Sequence, residues 1–434
     1  MYVKKVVVVG AGAAGLMAAC AALDAGAKVI VLEHNEKAGK KIYITGKGRC
    51  NYSNACENQD FFANILRNPK FLYSAVYDFD STAMTRFLQE NGCPVKEERG
   101  KRLFPASDRA FDVTDALVRH LKRKGGELRF HREVSQILLS EDRRARGVRL
   151  SDGQILEADA VIVAAGGKSY PSTGSTGDGF RLAAELGLKV TDPAPSLVPF
   201  TLKEKWPLKL QGLALKNVAI SLECGVPAPK TSGSKRKRPV YEGFGELLFT
   251  HFGISGPLIL SASCHTDFTQ KDAYYLLHLD LKPALSVNEL EARIFREVQA
   301  APKKELKTML KAMLPERLAE EAAVLYVQMD EHPSAVGGVD RKIGTLNEKD
   351  RRILAELLKN VTLTVTGTRG YEEAIVTRGG VSVKEINPST MEARSVPGVY
   401  FAGEVLDVDG YTGGFNLQIA WSTGHLAGKS AAAL

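Results

Sequence analysis

Apolar residues along this chain follow two rhythms, and the switches between them mark its parts. Residues 6–9 are a run of valines of strand type. The turn Gly10-Ala11-Gly12-Ala13-Ala14-Gly15 breaks that run, and residues 16–25 are Ala-rich and favour helix. A second β-branched run, 29–32, ends at Glu33. Strand, glycine turn, helix and strand make a complete βαβ unit. Residues 61–92 show helical periodicity, with Phe71, Leu72, Val76, Met84 and Phe87 as anchors. Asp112 is expected to N-cap a helix that runs to Lys124 and ends at Gly125-Gly126. Short strands are expected at 128–130, 137–139 and 148–150, with Asp152-Gly153 as a hairpin turn. Residues 161–165 form a continuous apolar run stopped by Gly166-Gly167, which suits a buried parallel strand.

The pattern changes near Asp192-Pro193-Ala194-Pro195. Strand-like stretches follow at 198–202, 218–222, 246–249 and 274–281, then a helical region from 285 to about 359. Residues 361–365 and 399–402 return to strand. Gly403 and a Gly-rich loop lead into a helix over 415–433, expected to be amphipathic, with Trp421 in the core. These periods predict an α/β fold with a Rossmann-like nucleotide-binding domain made from both chain ends. Its first part is 1–192 and its last part 375–434. Residues 193–374 form an insert, β-rich over 193–284 and helical over 285–360.

Composition narrows the class. At ~150 residues per domain, 434 residues imply two or three domains. Hydrophobic residues at 44% and charged residues at 25% exclude a disordered, collagenous or multi-span membrane chain. The uncharged stretch 6–23 after Lys4-Lys5 has the length of a signal or short span, but its glycine turn assigns it to the βαβ unit. Six scattered cysteines without C-x-x-C form no disulfide framework. Cys50 and Cys56 stand one residue further apart than a C-x4-C redox pair, so inert thiols in a reducing cytoplasm are expected. The eight His show no ligand spacing, so no metal is expected. Net charge +8 permits an anionic partner without demanding one. The run Lys235–Arg238 reads as a solvated loop and His251 as structural.

The chemistry is carried by glycine turns. Gly10-x-Gly12-x-x-Gly15 between strand and helix, with Glu33 closing the next strand, is a dinucleotide fingerprint. Gly10 permits the tight turn, Gly12 lets backbone N–H groups approach a pyrophosphate, and Gly15 lets helix and strand pack closely. The helix N-terminus favours negative charge. Glu33 can accept from both ribose hydroxyls and repels a 2′-phosphate. Three further segments look built around one long cofactor. These are the cationic loop Gly39-Lys40-Lys41 with Gly46-Lys47-Gly48-Arg49-Cys50-Asn51, the turn after Val161 with Ala165 and Gly166, and the ending Gly403-Glu404-Val405-Leu406-Asp407 with Gly410 to Asn416. A helix N-terminus aimed at the flavin edge would stabilise an anionic reduced ring. The arrangement favours FAD over NAD.

Three runs together resemble a known family: 39–51 (GKKIYITGKGRCN), 245–257 (GELLFTHFGISGP) and 401–418 (FAGEVLDVDGYTGGFNLQ). They are similar to bacterial FAD-binding proteins that include aminoacetone oxidases and 3-dehydro-bile-acid Δ4,6-reductases. The resemblance covers nearly the whole chain. It implies a glutathione-reductase-like FAD domain with a β-barrel-like insert and a helical subdomain. It also implies that Gly10, Gly12, Ala13, Ala14, Gly15 and Glu33 hold the ADP half, that Lys40, Lys41, Gly48, Arg49, Cys50 and Asn51 lie along the cofactor, and that Val134 offers backbone to adenine. Asp407 should reach the ribityl or pyrophosphate region. Gly414, Phe415, Asn416 and Leu417 should meet the flavin ring, Phe415 to Leu417 through backbone. Lys47 stands where the family commonly has a second glycine and adds a cation near cofactor or substrate.

An FAD-dependent oxidoreductase follows, with two chemistries open. A reductase would pass hydride from NAD(P)H through the flavin to an activated C=C, such as a 3-oxo bile acid or steroid enone. An amine oxidase of the aminoacetone type would deliver electrons to O2. The resemblance favours the reductase. Gly177-x-Gly179-x-x-Leu182 lacks the third glycine and a preceding strand, so NAD(P)H is expected to dock transiently. A flavoprotein acting on tRNA, or a non-catalytic one, is the reading from another class. A small-molecule substrate is the expected partner, with no membrane; nucleic acid is disfavoured, and the oligomeric state is left open. The substrate is expected between insert and flavin. Its walls would be loops 46–51, 168–173 and 409–413, with Tyr170 and Tyr411 as candidate catalytic proton donors.

Overall fold

The computed structural model describes residues 2–225, 239–268, 273–329 and 338–433. The run Lys235–Arg238 lies outside them. The chain divides into two units, one of Met1–Leu197 with Gly370–Leu434 and one of Val198–Arg369.

In the first unit the valine run becomes Lys5–Val9 (β1), followed by Ala13–Asp24 (α1) and Lys28–Leu32 (β2). Glu127–Arg129 (β3), Ala160–Val163 (β4) and Val399–Phe401 (β5) complete a five-stranded sheet in the order β5-β4-β1-β2-β3. All its pairings are parallel, with Val7 opposite Ile30 on one side and Val161 on the other. The sheet explains why β1 from Val6 onward and all of β4 are apolar: covered on both faces, these residues have no solvent side. Both chain ends meet here, since β5 comes from the C-terminal segment.

Two local expectations are corrected. The helix expected after Asp112 is Ala110–Arg123 (α2), which starts three residues earlier and has Arg109 at its N-cap without a side-chain cap. Asp112 lies inside the first turn and accepts from Ser107 Oγ at 2.5 Å, so its carboxylate anchors the approach loop instead. The C-terminal helix, Phe415–Ala432 (α4 below, after Asp178–Glu185 as α3), is not amphipathic. It is buried nearly all round because it packs against α1 through small residues. Trp421 is fully buried in it and donates to Tyr52 O at 2.9 Å.

That packing is tight enough to test. A Cβ on Gly424 would come closer than 3.0 Å to Ala14 O, and one on Gly428 closer than 3.0 Å to Ala18 O. Gly424→Ala should therefore force α4 off α1 and cost about 1–3 kcal/mol. Thermal unfolding should show a lowered Tm; an unchanged Tm would mean that the helices are not held this close.

The second unit is a closed barrel of Phe200–Leu202, Gly253–Ser255, Tyr241–Phe249, Ala214–Cys224, Tyr275–Asp280 and Val361–Thr368, in that order round the barrel. Inward residues alternate with outward ones, as at Tyr275, Leu277 and Leu279. Four helices, Val287–Ala300, Leu306–Lys311, Glu316–Met329 and Glu348–Lys359, are spliced between its last two strands in the chain. Ser286 with Glu289 and Asn347 with Asp350 form capping boxes on two of them. Each unit has its own apolar core.

Candidate functional site

β1 stops at Val9 and α1 starts at Ala13, leaving the glycine turn at the carboxyl end of the sheet. Gly10 sits at φ +101, where a Cβ would also strike Ala164 O. Gly12, the N-cap of α1, has nothing within 4 Å of where its Cβ would stand. That open space is part of a long cleft enclosing about 1370 Å³, solvent at its mouth included. The first turn of α1 carries no acidic residue and no side-chain cap, so its N–H groups remain available to an anion. Gly15 does not line the cleft; a Cβ there would overlap Gly10 O, so its role is to close the turn on the helix.

Glu33 lies in the cleft wall, 7% exposed. One carboxylate oxygen accepts from the N–H of Ala11 at 2.8 Å. The other accepts from the backbone N–H and Nδ2 of Asn35, at 2.9 and 2.8 Å. The carboxylate therefore ties the glycine turn to the end of β2 while keeping acceptor capacity for a ligand. The neighbouring wall is made by His34, Asn35, Arg132, Val134, Thr173 and Asp178. All but Val134 were missed in the sequence as cofactor contacts. Asn35 had a signal, lying two residues after Glu33; Thr173 closes the 168–173 loop that was expected to wall the substrate, and Asp178, at the start of α3, had none.

Also in the cleft wall, Lys41 pairs with Glu404 at 2.6 Å and bonds Ser169 Oγ. Glu404 also accepts from Ser169 Oγ at 2.6 Å and from the N–H of Thr377 at 2.7 Å. Thr377 Oγ1 in turn accepts from the N–H groups of Lys168 and Ser169, at 2.8 and 3.0 Å. One buried network thus joins four chain segments, with Lys41 and Glu404 at the cleft surface. Lys40, Ala165 and Gly166 line the same stretch.

Asn416 and Leu417 also line the cleft, at the start of α4. The N–H groups of Phe415, Asn416 and Leu417 have no intrahelical partner by helix geometry. The Asn416 side chain is occupied: it accepts from Gly410 N at 2.9 Å and donates to Gly410 O and Tyr411 O at 2.7 and 3.2 Å. It shapes the loop that carries Tyr411.

Other sequence-selected residues stand outside the cleft lining. Arg49 is held by Glu98 and Asp108 and lies over the Phe104 ring at 4.3 Å, so it fastens the 45–51 loop. Lys47 adopts φ 59 in that loop, a left-handed conformation that favours glycine. Gly48, Cys50, Asn51, Gly403, Asp407, Gly414 and Phe415 do not line it either. Gly403 donates its N–H to Thr423 Oγ1 at 2.9 Å, and a Gly414 Cβ would overlap Ser53 backbone. Tyr170, at φ 50, and Tyr411 also lie off the lining. All six cysteines are free, and burial pushes the Cys50 thiol up to about 12, which leaves it unreactive. His251 is exposed and meets Phe252 edge-on at 4.9 Å.

A dinucleotide fits this donor set. The cleft lining includes the bare N-terminus of α1, the start of α4, and a buried acid, Glu33, at the end of β2 for a ribose. Asn51 Oδ1 and Asp407 Oδ1 are buried and lack a hydrogen-bond partner among the described residues. Neither residue lines the cleft, so these acceptors do not mark a cofactor contact. Among the described residues no group of three or more His, Cys, Asp or Glu comes together to hold a metal, and no helix is long and apolar enough to cross a membrane.

Fold and cleft define an FAD-dependent oxidoreductase with a Rossmann core. The chain belongs to the family described as HI0933-like protein Rossmann domain, which matches residues 4–430. It is 32% identical over 429 residues to a ribosomal RNA dihydrouridine synthase of Haemophilus influenzae, covering 98% of this chain and 97% of the relative. It is 30% identical over 433 residues to the 3-dehydro-bile acid delta(4,6)-reductase of Clostridium scindens, covering 99% of each. The crystal structure of 3-ketosteroid delta1-dehydrogenase from Sterolibacterium denitrificans shares the fold, with a TM-score of 0.50 and 15% identity over 100% of both chains.

Proposed function

We propose that this chain reduces a C=C bond conjugated to a ring carbonyl, with NAD(P)H as the electron source, in the cytoplasm. One observation carries the reading: two full-length relatives have names that both describe hydrogen added across such a bond, in a bile acid and in uridine. The substrate class is therefore a flat ring enone, with a small 3-oxo steroid and a uracil of RNA as its two branches. The ribosomal RNA relatives favour the second, and net charge +8 is compatible with it.

FAD, when bound, carries a hydride from NAD(P)H to the carbon β to the carbonyl. The protein's own groups do the rest. The α1 N-terminus and the Gly10–Gly12 backbone hold the pyrophosphate, and Glu33 accepts from ribose. Lys41 and Glu404 neutralise each other and hold the cleft wall in one shape. The α4 N-terminus faces the charge that develops on the ring. A phenol from Tyr170 or Tyr411 supplies the proton for the α-carbon or a hydrogen bond to the carbonyl oxygen.

The purified protein should be yellow, and denaturation should release intact FAD, since no residue lies in a flavin-attachment motif. Reduced anaerobically with NADH or NADPH, it should be reoxidised faster by an enone than by O2. A colourless protein that takes up no FAD would refute the flavin assignment. Reduction by an amine with rapid reoxidation by O2 alone would make it an oxidase.

A further inference from the structure

We propose that Lys37, Tyr43, Lys47, Arg109 and Phe111 form a landing surface for single-stranded RNA at the mouth of the cleft. The inference rests on the uracil branch of the reading above and adds the surface that would hold the strand.

The short helix Lys40–Ile44 has two faces. Lys40, Lys41 and Ile42 line the cleft, whereas Ile44 is 43% exposed and Tyr43 half-buried on the outside. Phe111, at the start of α2, is 46% exposed, and its ring centre lies 6.5 Å from that of Tyr43. Each ring carries a cation: Lys37 Nζ is 4.8 Å from the Tyr43 centroid, and Arg109 is 5.8 Å from that of Phe111. Lys47 is exposed on the adjoining turn.

Charge decides what such a surface fits. Three nearby acids pair with other cations: Glu36 with Lys40 at 3.3 Å, Asp108 with Lys96 at 2.5 Å and with Arg49, and Asp115 with Arg119 at 2.9 Å, while Asp112 accepts from Ser107 Oγ. Among the described residues Lys37, Lys47 and Arg109 have no carboxylate within 4.0 Å. The surface therefore presents cations outside any ion pair beside one exposed and one half-buried ring. A single strand needs both, cations for phosphates and rings for unstacked bases. A uracil reduced in a cleft must also leave its stack, so its neighbours need a platform close to the entrance.

The test uses the FAD-loaded protein and a short fluorescent uridine-rich RNA, titrated across a salt series. Lys37→Gln with Arg109→Gln should reduce the slope of log affinity against log salt by about 1.4, at ~0.7 per lost phosphate contact. Phe111→Leu should weaken binding about tenfold without changing that slope. The charge-matched pair Lys216→Gln with Lys303→Gln, exposed elsewhere, should change neither. Wild-type slope and affinity in the first two variants would overturn the proposal. So would a change of oligomeric state in Phe111→Leu with unaltered RNA affinity, which would make the surface a contact between copies. If the wild type binds RNA through these residues yet saturates no uracil in it, the surface stands and the uracil branch falls. If it saturates uracil while the variants bind as tightly as wild type, the surface alone falls.

Discussion

Removing the Glu33 carboxylate, as Glu33→Ala, is expected to weaken FAD binding tenfold to a thousandfold. Two charge-assisted hydrogen bonds to ribose are each worth about 1.5–3 kcal/mol, which converts to that range when part of the loss is recovered by water. The structure adds a second consequence. Glu33 also accepts from Ala11 N–H and from Asn35. Its loss leaves the N–H of the glycine turn without that acceptor, so the turn itself should loosen and the FAD-free protein should melt earlier. Glu33→Gln keeps an acceptor oxygen and should lie between wild type and Ala in both measurements. Titration of the FAD-free protein by flavin fluorescence gives the affinity, and unchanged affinity in Glu33→Ala would show that this carboxylate does not hold the ribose.

Exchanging one of two phenols for a phenyl ring is expected to have the largest kinetic effect. If Tyr170 or Tyr411 donates the proton, its Phe variant should lose ~10²–10⁴-fold in kcat with FAD content unchanged. Tyr170 lies off the cleft lining, in a fixed backbone setting. It holds a left-handed φ of 50, unusual for a bulky residue, and such backbone is retained where its surroundings fix it. Its N–H donates to Tyr371 O at 2.9 Å. Burial, and then the charge of Glu373, raises its pKa, which keeps the phenol protonated but makes it a weaker acid than a free tyrosine. Tyr411 is held through its backbone by Asn64 and Asn416. Losses of no more than a few-fold in both variants would remove both phenols from the mechanism and leave water or another side chain as the acid.

Some of this protein was determined by local sequence alone. The valine run, the glycine turn and Glu33 specify the βαβ unit, because steric freedom at Gly10 and Gly12 and burial of β-branched side chains are properties of a few adjacent residues. The return of the chain to the sheet at Val399–Phe401 was also legible, since strand and helix periods differ; the insert expected from 193 to 374 is the unit Val198–Arg369, because the strand Val190–Ser196 runs across residue 192 and pairs with Val376–Val381 in the first unit. Tertiary structure decided what each polar side chain does. Lys41 and Glu404 were selected as separate cofactor contacts, yet they lie 2.6 Å apart and bind each other. Arg49 was selected for the cofactor and is instead bound by Glu98 and Asp108, some fifty residues away in the chain. Asp112 has the residue type of a helix cap, but the loop through Ser107 brings it into the first turn instead. The last helix was read as amphipathic, and α1 covers the face expected to meet water because Gly424 and Gly428 let the backbones approach. A charged or small residue announces its chemistry locally, but its partner is set by long-range packing, which leaves no periodic trace in the sequence.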